Sequence, residues 1–442
     1  MYLVTLIKMV LSDRILCGNI GVGDFLEIIR KKFSSATNYV VVFIKWFILA
    51  AITGFIGGAV GTLFHVSVEW ATSFRTAHSW IIFLLPIGGV IIAAIYHFSG
   101  YKDIGTNEII DAVRTPNGVP FILTPLIFLS TVITHLCGGS AGREGAALQL
   151  GGSIANFIGK ITHLDEKDMH IITLCGMSAV FSALFGTPLT AAIFALGVIS
   201  VGVIYYAGLL PCIVSAYIAY FVSIKCGTQP VHFTLSTVPE LTALNSLRVI
   251  ALSLCCAILG IVFCLTLHKT HHAFEKYIKN PYLRAIVGAV MIILLSLIWS
   301  SGDYNGAGMN IVERAIGGEA RPEAFIIKLI FTAITVGAGF KGGEIVPTFF
   351  VGATFGCTVG ALLGLDAGFG AAIGLVALFC AVVNCPIASI FLSIEIFGSE
   401  GMLLFALAVS ISYLLSGYYG LYSSQKIVYS KLRAEVVNIN AK

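Results

Sequence analysis

Apolar residues fall along this chain in long blocks, not in the alternation of a half-buried strand or the stripe of a surface helix. Blocks occupy about 39–64, 79–98, 119–137, 170–185, 188–206, 207–225, 246–267, 283–300, 324–338, 345–363, 370–384, 386–398 and 401–418. A helix needs about 20 apolar residues to cross a hydrocarbon core about 30 Å thick. Several blocks reach that length and several do not, and the short ones are predicted to be helices buried among others. Composition agrees: of 442 residues, 57% are hydrophobic and 11% charged, against roughly 25% charged in a soluble domain. The pattern predicts an all-α, polytopic integral membrane protein.

The flanks set the expected orientation. Arg30, Lys31 and Lys32 precede the first long block, and Lys426, Lys431 and Arg433 follow the last. Basic residues collect on the cytoplasmic side, so both termini are expected there, in a bacterial inner membrane. The opening run MYLVTLIKMVL is interrupted by Lys8 and no small-residue cleavage site follows cleanly, which disfavours a signal peptide; residues 1–37 read as an interfacial, cytoplasmic segment. The formal net charge of +4 comes largely from these flanks, and no basic patch for nucleic acid is present. Eleven cysteines, most of them inside apolar runs, read as small buried hydrophobes, with neither a disulfide framework nor a metal site implied. No cofactor is expected.

Two glycine-flanked carboxylates interrupt the apolar background. Residues 138–152 read GGSAGREGAALQLGG, with Glu144, and the segment from 337 reads GAGFKGGEIVPTFFVGATFG, with Glu344. A charge at bilayer depth costs about 2.5–3.5 kcal/mol on insertion scales, which argues for a water-lined cavity or a coupled proton. Glycines leave backbone N–H groups uncovered, and a helix starting at that depth offers them to an anion. Setting 142 against 342 aligns Glu144 with Glu344 and Gly152 with Gly352, and a similar offset places Pro188 over Pro386. An internal repeat follows, with halves at 38–225 and 246–425, a polar linker at 226–245 and a short tail at 426–442 without a regulatory domain. An odd number of helices per half would invert one half relative to the other.

The GREG segment, the GGEIVP segment about 200 residues later, the proline-led apolar helix after each and the late YYGLYSSQ together resemble the CLC family of chloride channels and anion/proton antiporters, over about 40–435. That resemblance implies two inverted repeats of tilted, partly discontinuous helices, and a homodimer with one anion pathway per subunit. It also implies roles. Glu144, in GREGA where the family has GREGP or GKEGP, would be the external gating and proton-coupling glutamate. The backbone amides of Ile345 and Val346, at the family's GxFxP segment, would coordinate the anion. Tyr422 in GLYSSQ would be the central tyrosine, and Thr106 would stand where GSGIP has serine.

Departures from the family pattern narrow the expectation. The GSGIP segment becomes Gly105, Thr106, Asn107, Glu108 and Ile109, which puts chloride selectivity in doubt and leaves Thr106 or Asn107 as ligands. The internal proton-transfer glutamate of chloride/proton antiporters is replaced by Gly197 and Val198. Glu344, an acid inside the GxFxP segment, is unusual for chloride members, and the wording around it resembles the bacterial fluoride-exporting branch. The reading is therefore a fluoride/proton antiporter whose partners are an inorganic anion, protons and the bilayer. A chloride/proton antiporter or passive chloride channel on the same fold is the alternative.

Blander readings of the same residues stand beside these. Glu344 could be a first-turn acid complementing a helix dipole, Thr106 a helix cap, and Tyr422 part of an interfacial aromatic belt with Tyr418 and Tyr419. Glu395, in SIFLSIEIFG, reads as structural and in need of a buried partner. His268, His271 and His272 share a helical face that could hold a metal, but a solvated helix end explains them. A buried carboxylate pair could also belong to an intramembrane enzyme; no HExxH, GxSxG or aspartate-rich motif supports that.

Overall fold

The computed structural model describes residues 22–101, 105–114, 118–299 and 302–442, with side chains described from Asn38 onward. The expected 1–37 segment thus lies partly outside the described residues, and from Val22 its backbone is already helical. That helix, α1, runs Val22–Ala77. A short 3-10 turn, Ser79–Leu84, leads into α2, Leu85–Ser99. The chain continues through α3 (Thr106–Ala112), α4 (Leu123–Cys137), α5 (Glu144–Ile161), α6 (Glu166–Phe185), α7 (Pro188–Val198) and α8 (Leu209–Lys225). The second half comprises α9 (Ala243–Tyr277), α10 (Pro281–Ile298), α11 (Met309–Ile316), α12 (Ala324–Gly337), α13 (Ile345–Leu362), α14 (Ala367–Val383), α15 (Pro386–Phe397) and α16 (Met402–Leu415). Among the described residues, seven helices are long and apolar enough to cross a membrane and six apolar helices are shorter.

The two halves repeat in local geometry. Helices α5 and α13 each contain 18 residues and begin 201 positions apart, at Glu144 and Ile345. Asp165 accepts the Asp168 amide at the start of α6, and Asp366 accepts the Phe369 amide at the start of α14, which is the same offset. Before α7 and α15 the backbone is nearly superimposable. Thr187 has φ −119° and ψ 75°, Cys385 has φ −118° and ψ 72°, and each precedes a proline whose missing N–H costs nothing at a first helical position. The offset of 201 corrects the sequence alignment by one residue. Glu144 is the first residue of α5, whereas Glu344 is the N-cap of α13, so Glu344 stands opposite Arg143 and the two carboxylates are not equivalent.

Close helix approach explains the glycines of the paired segments. A Cβ placed on Gly151 would lie 2.1 Å from the Gly176 carbonyl oxygen, and one on Gly352 would lie 2.5 Å from that of Gly374. Only hydrogen fits there, so α5 packs on α6 and α13 on α14 backbone to backbone.

Two features depart from an all-helical reading. The apolar block at 188–206 ends its helix at Val198 and continues as a strand, β1 (Ser200–Val201). Residues of the expected short tail form β2 (Lys426–Tyr429) and β3 (Val436–Asn440), with β1 parallel to β2 and β2 antiparallel to β3. Fully buried Gln425 anchors this sheet: its Nε2 donates to the Val198 and Val383 carbonyls at 3.0 and 2.9 Å, and its Oε1 accepts from Asn384 Nδ2 at 3.1 Å.

Candidate anion and proton site

The segments preceding α5 and α13 meet in a two-residue antiparallel bridge. The Gly142 amide donates to the Gly343 carbonyl at 2.6 Å, and the Gly343 amide donates back to the Gly142 carbonyl at 2.8 Å. The bridged residues are themselves 201 apart, so the bridge joins equivalent points of the two halves. Its geometry needs glycine, because a Cβ on Gly343 would sit 2.4 Å from the Gly145 nitrogen and 2.9 Å from that of Glu144. The loop on the α5 side is held by Thr335 Oγ1, which accepts the Ser140 amide at 3.0 Å, and by a 3.1 Å contact between the Ser140 and Thr332 hydroxyls.

Two helix N-termini therefore converge, each with backbone N–H groups that have no acceptor within their own helix. Glu144 is completely buried between them. One of its oxygens accepts the Arg143 amide at 3.0 Å, and the other lies 3.7 Å from Arg143 Nε. The second oxygen, Oε1, has no hydrogen-bond partner among the described residues, and the backbone N–H of Val346, on α13, is near enough to act on the carboxylate electrostatically. An acid from the first half thus occupies the N-terminus of a helix from the second, where a free anion would sit.

Glu344 is the N-cap of α13 and makes no side-chain cap bond to it, so the reading as an acid that complements the helix dipole stands beside the site role. Its Oε2 is buried without a hydrogen-bond partner among the described residues and would lie 3.4 Å from a Cβ built on Gly145. Thr106, the first residue of α3, likewise does not cap its own helix. That task falls to Glu108, whose carboxylate accepts the Gly105 amide at 2.6 Å. The Thr106 hydroxyl instead reaches the Gly145 carbonyl at 3.4 Å and accepts from Gln149 Nε2 at 3.2 Å. Gln149 is a site residue that the sequence reading missed; the available signal was an amide within the small, apolar α5, five residues after Glu144.

Tyr422 is buried, 2% exposed, and not part of a surface belt. Its hydroxyl has no hydrogen-bond partner among the described residues, and Glu344, Cys385 and Glu144 act on it electrostatically. The segment carrying it is tied down at several points. The Leu421 amide donates to the Val382 carbonyl at 2.7 Å, and the Leu421 carbonyl lies 3.2 Å from His268 Nε2. Asn107 serves the same end, since its Oδ1 accepts the Ser424 amide at 3.1 Å. Arg114 reaches the Ser424 carbonyl as well.

The structure therefore brings Glu144, Glu344, Thr106, Ile345, Val346 and Tyr422 together and places Asn107 beside them as a tether of the Tyr422 segment. His271 pairs with Glu275 at 3.4 Å, apart from this site. Glu395 finds its partners at the start of α7, where its two oxygens accept the amides of Leu189 and Thr190 at 2.9 and 2.8 Å.

Comparison with known proteins agrees with this architecture. A chloride/fluoride channel protein of Pseudomonas syringae pv. tomato is 35% identical over 397 residues, 88% of this chain and 87% of its own. An H(+)/Cl(-) exchange transporter of Vibrio vulnificus is 26% identical over 382 residues, 78% of this chain and 81% of its own. Among solved structures, a CLC-type fluoride/proton antiporter superposes with a TM-score of 0.84 at 30% identity, covering 87% of this chain and 98% of that one. A slow cyanobacterial Cl-/H+ antiporter, at 18% identity, shares the fold with a TM-score of 0.73 over 84% of this chain and 94% of that one. Residues 94–417 match the family described as voltage gated chloride channel, and with that match and two converging helix N-termini around buried Glu144, the chain belongs to the CLC family.

Proposed function

We propose that this protein exports fluoride from the cytoplasm in exchange for protons. The observation that carries the reading is the Glu144 carboxylate lying at the N-terminus of α13, near the Val346 amide. An ionised carboxylate there competes with an anion for the same donors. When it takes up a proton it loses that claim, and the anion enters as the neutral side chain leaves. Each cycle of Glu144 then moves a proton one way and an anion the other.

Fluoride suits the donors better than chloride. It is small, holds its water tightly and accepts hydrogen bonds strongly, so desolvation must be offset by several short, well-aimed donors. The amides of Ile345 and Val346 and the Tyr422 hydroxyl supply donors without a fixed positive charge. Glu344, with a buried oxygen that lacks a partner, would carry a second proton to the anion or hold it through a shared one. Thr106 and Gln149 brace one another and set the wall of the site. The names of the Pseudomonas relative and of the antiporter structure support fluoride, and the family match points to transport, not catalysis.

In this reading the protein works as a homodimer in the bacterial inner membrane with both termini cytoplasmic. Purified protein in liposomes loaded with fluoride or with chloride tests the anion. Fluoride efflux is expected to exceed chloride efflux by more than about tenfold, equivalent to ~1.4 kcal/mol of discrimination, with protons taken up in the opposite direction. Comparable rates for the two anions would leave the chloride/proton antiporter standing instead.

A further inference from the structure

Beside the site just described, one loop residue is held through all of its polar groups by a single helix face. Asn107 and Asp111 on α3 and Arg114 in the turn that closes it are spaced by four and three residues, so they share one side of the helix. All three bind Ser424. Its amide donates to Asn107 Oδ1 at 3.1 Å, its hydroxyl donates to Asp111 Oδ2 at 2.5 Å, and its carbonyl accepts from Arg114 Nη2. Arg114 Nη2 also donates to Asp111 Oδ1 at 3.0 Å, which fixes the two charged groups relative to one another. Bonds of this charge-assisted kind are the stronger ones. Among the described residues, every hydrogen bond between α3 with its closing turn and the Tyr422 segment runs through Ser424.

The repeated fold does not require this polar triad. At the offset of 201 the three positions are Gly308, Val312 and Ala315, and the last two are buried in the core. The triad therefore belongs to the first half alone, and what it holds in place is Tyr422, two residues before Ser424. The other ties of that segment, from Leu421 to Val382 and from Gln425 to Val198 and Val383, run to the ends of α14 and α7. Ser424 connects it to the helix that begins with Thr106. We propose that Asn107, Asp111 and Arg114 are positioning residues that act through Ser424, setting the spacing between Thr106 and the Tyr422 hydroxyl and so determining which anion the site favours. This role rests on the fluoride reading above. A small, strongly accepting anion needs donors held at short range, so a looser Tyr422 costs fluoride more than it costs chloride.

The test combines amide hydrogen exchange across residues 418–425 with fluoride and chloride efflux from liposomes, for the full-length parent, Asp111→Ala, Ser424→Ala and the double variant. The Asp111 side chain is 57% exposed, so its truncation leaves no buried void. Exchange in Asp111→Ala is expected to rise by about tenfold, the factor that one hydrogen bond to a charged group is worth, and the ratio of fluoride to chloride efflux is expected to move toward one. Asp111→Asn, which still offers an oxygen to the Ser424 hydroxyl, is expected to recover part of both. The double variant is expected to match Asp111→Ala, because the bond it removes is already gone. Parent-like exchange in Asp111→Ala, raised exchange with an unchanged anion ratio, or single effects that add in full would each overturn the role. A parent that carries both anions at like rates would overturn the fluoride reading and this role with it, and that result is read from the parent alone, which keeps the two failures apart.

Discussion

Replacing Gly343 by alanine examines the junction on which the whole site depends. The new methyl would sit 2.4 Å from the Gly145 nitrogen and 2.9 Å from that of Glu144. The first distance is about 0.6 Å inside the range that packed atoms tolerate, and both neighbours are backbone at a helix start, which cannot rotate away as a side chain can. Relief requires α5 to withdraw from α13. The cost is about 1–3 kcal/mol of overpacking, and if the bridge opens, the two reciprocal Gly142–Gly343 hydrogen bonds add about 1 kcal/mol each. A displacement approaching 1 Å also separates the Glu144 carboxylate from the Val346 amide, and losses on the order of 10²-fold accompany misplacements of that size at a working site. Fluoride efflux from liposomes, followed with an ion-selective electrode, is therefore expected to fall by 10- to 100-fold in a protein that still elutes as a single folded species. Gly197→Ala is the control, since its Cβ would meet nothing closer than Cys385 Sγ at 3.6 Å. Fluoride efflux by Gly343→Ala within twofold of the parent would refute the reasoning, whatever the control does.

Glu144→Gln is expected to abolish proton coupling, since a neutral amide neither competes with the anion by charge nor carries a titratable proton. Proton uptake driven by a fluoride gradient is the measurement, and undiminished uptake would remove Glu144 from the coupling role. Glu344→Gln is expected to reduce fluoride transport well beyond any change in thermal stability; a variant that folds and transports like the parent would leave Glu344 as a helix-end residue only. Glu395→Ala strips the carboxylate from the amides of Leu189 and Thr190, and charge-assisted bonds of this kind are worth about 1.5–3 kcal/mol each. Its melting temperature is expected to drop by several degrees, and an unchanged value would show that water substitutes freely at the start of α7.

The hydrophobic blocks and their punctuation determined a good deal by themselves. Membrane class, the ends of the apolar blocks at 137 and 185, the helix starts at Pro188 and Pro386, the existence of a repeat and the two chemistry-bearing segments are all local properties: solvation of apolar runs and the φ range of proline act within a few residues. What tertiary structure decided is what depends on separation. Matching Glu144 to Glu344 by letter placed the repeat one residue out of register, because only the bridge between Gly142 and Gly343 and the paired starts of α5 and α13 fix equivalence in space. The partners of Thr106 and Asn107, Gln149 and Ser424, lie 43 and 317 residues away, and amide side chains carry no periodic signal by which to find them. Residues 426–429 and 436–440 show no strong alternation, yet the first pair with Ser200 and Val201 and the second with the first, because buried Gln425 satisfies carbonyls at the ends of α7 and α14. A buried backbone carbonyl must find a donor, and which residue supplies it is settled only when the helices have packed.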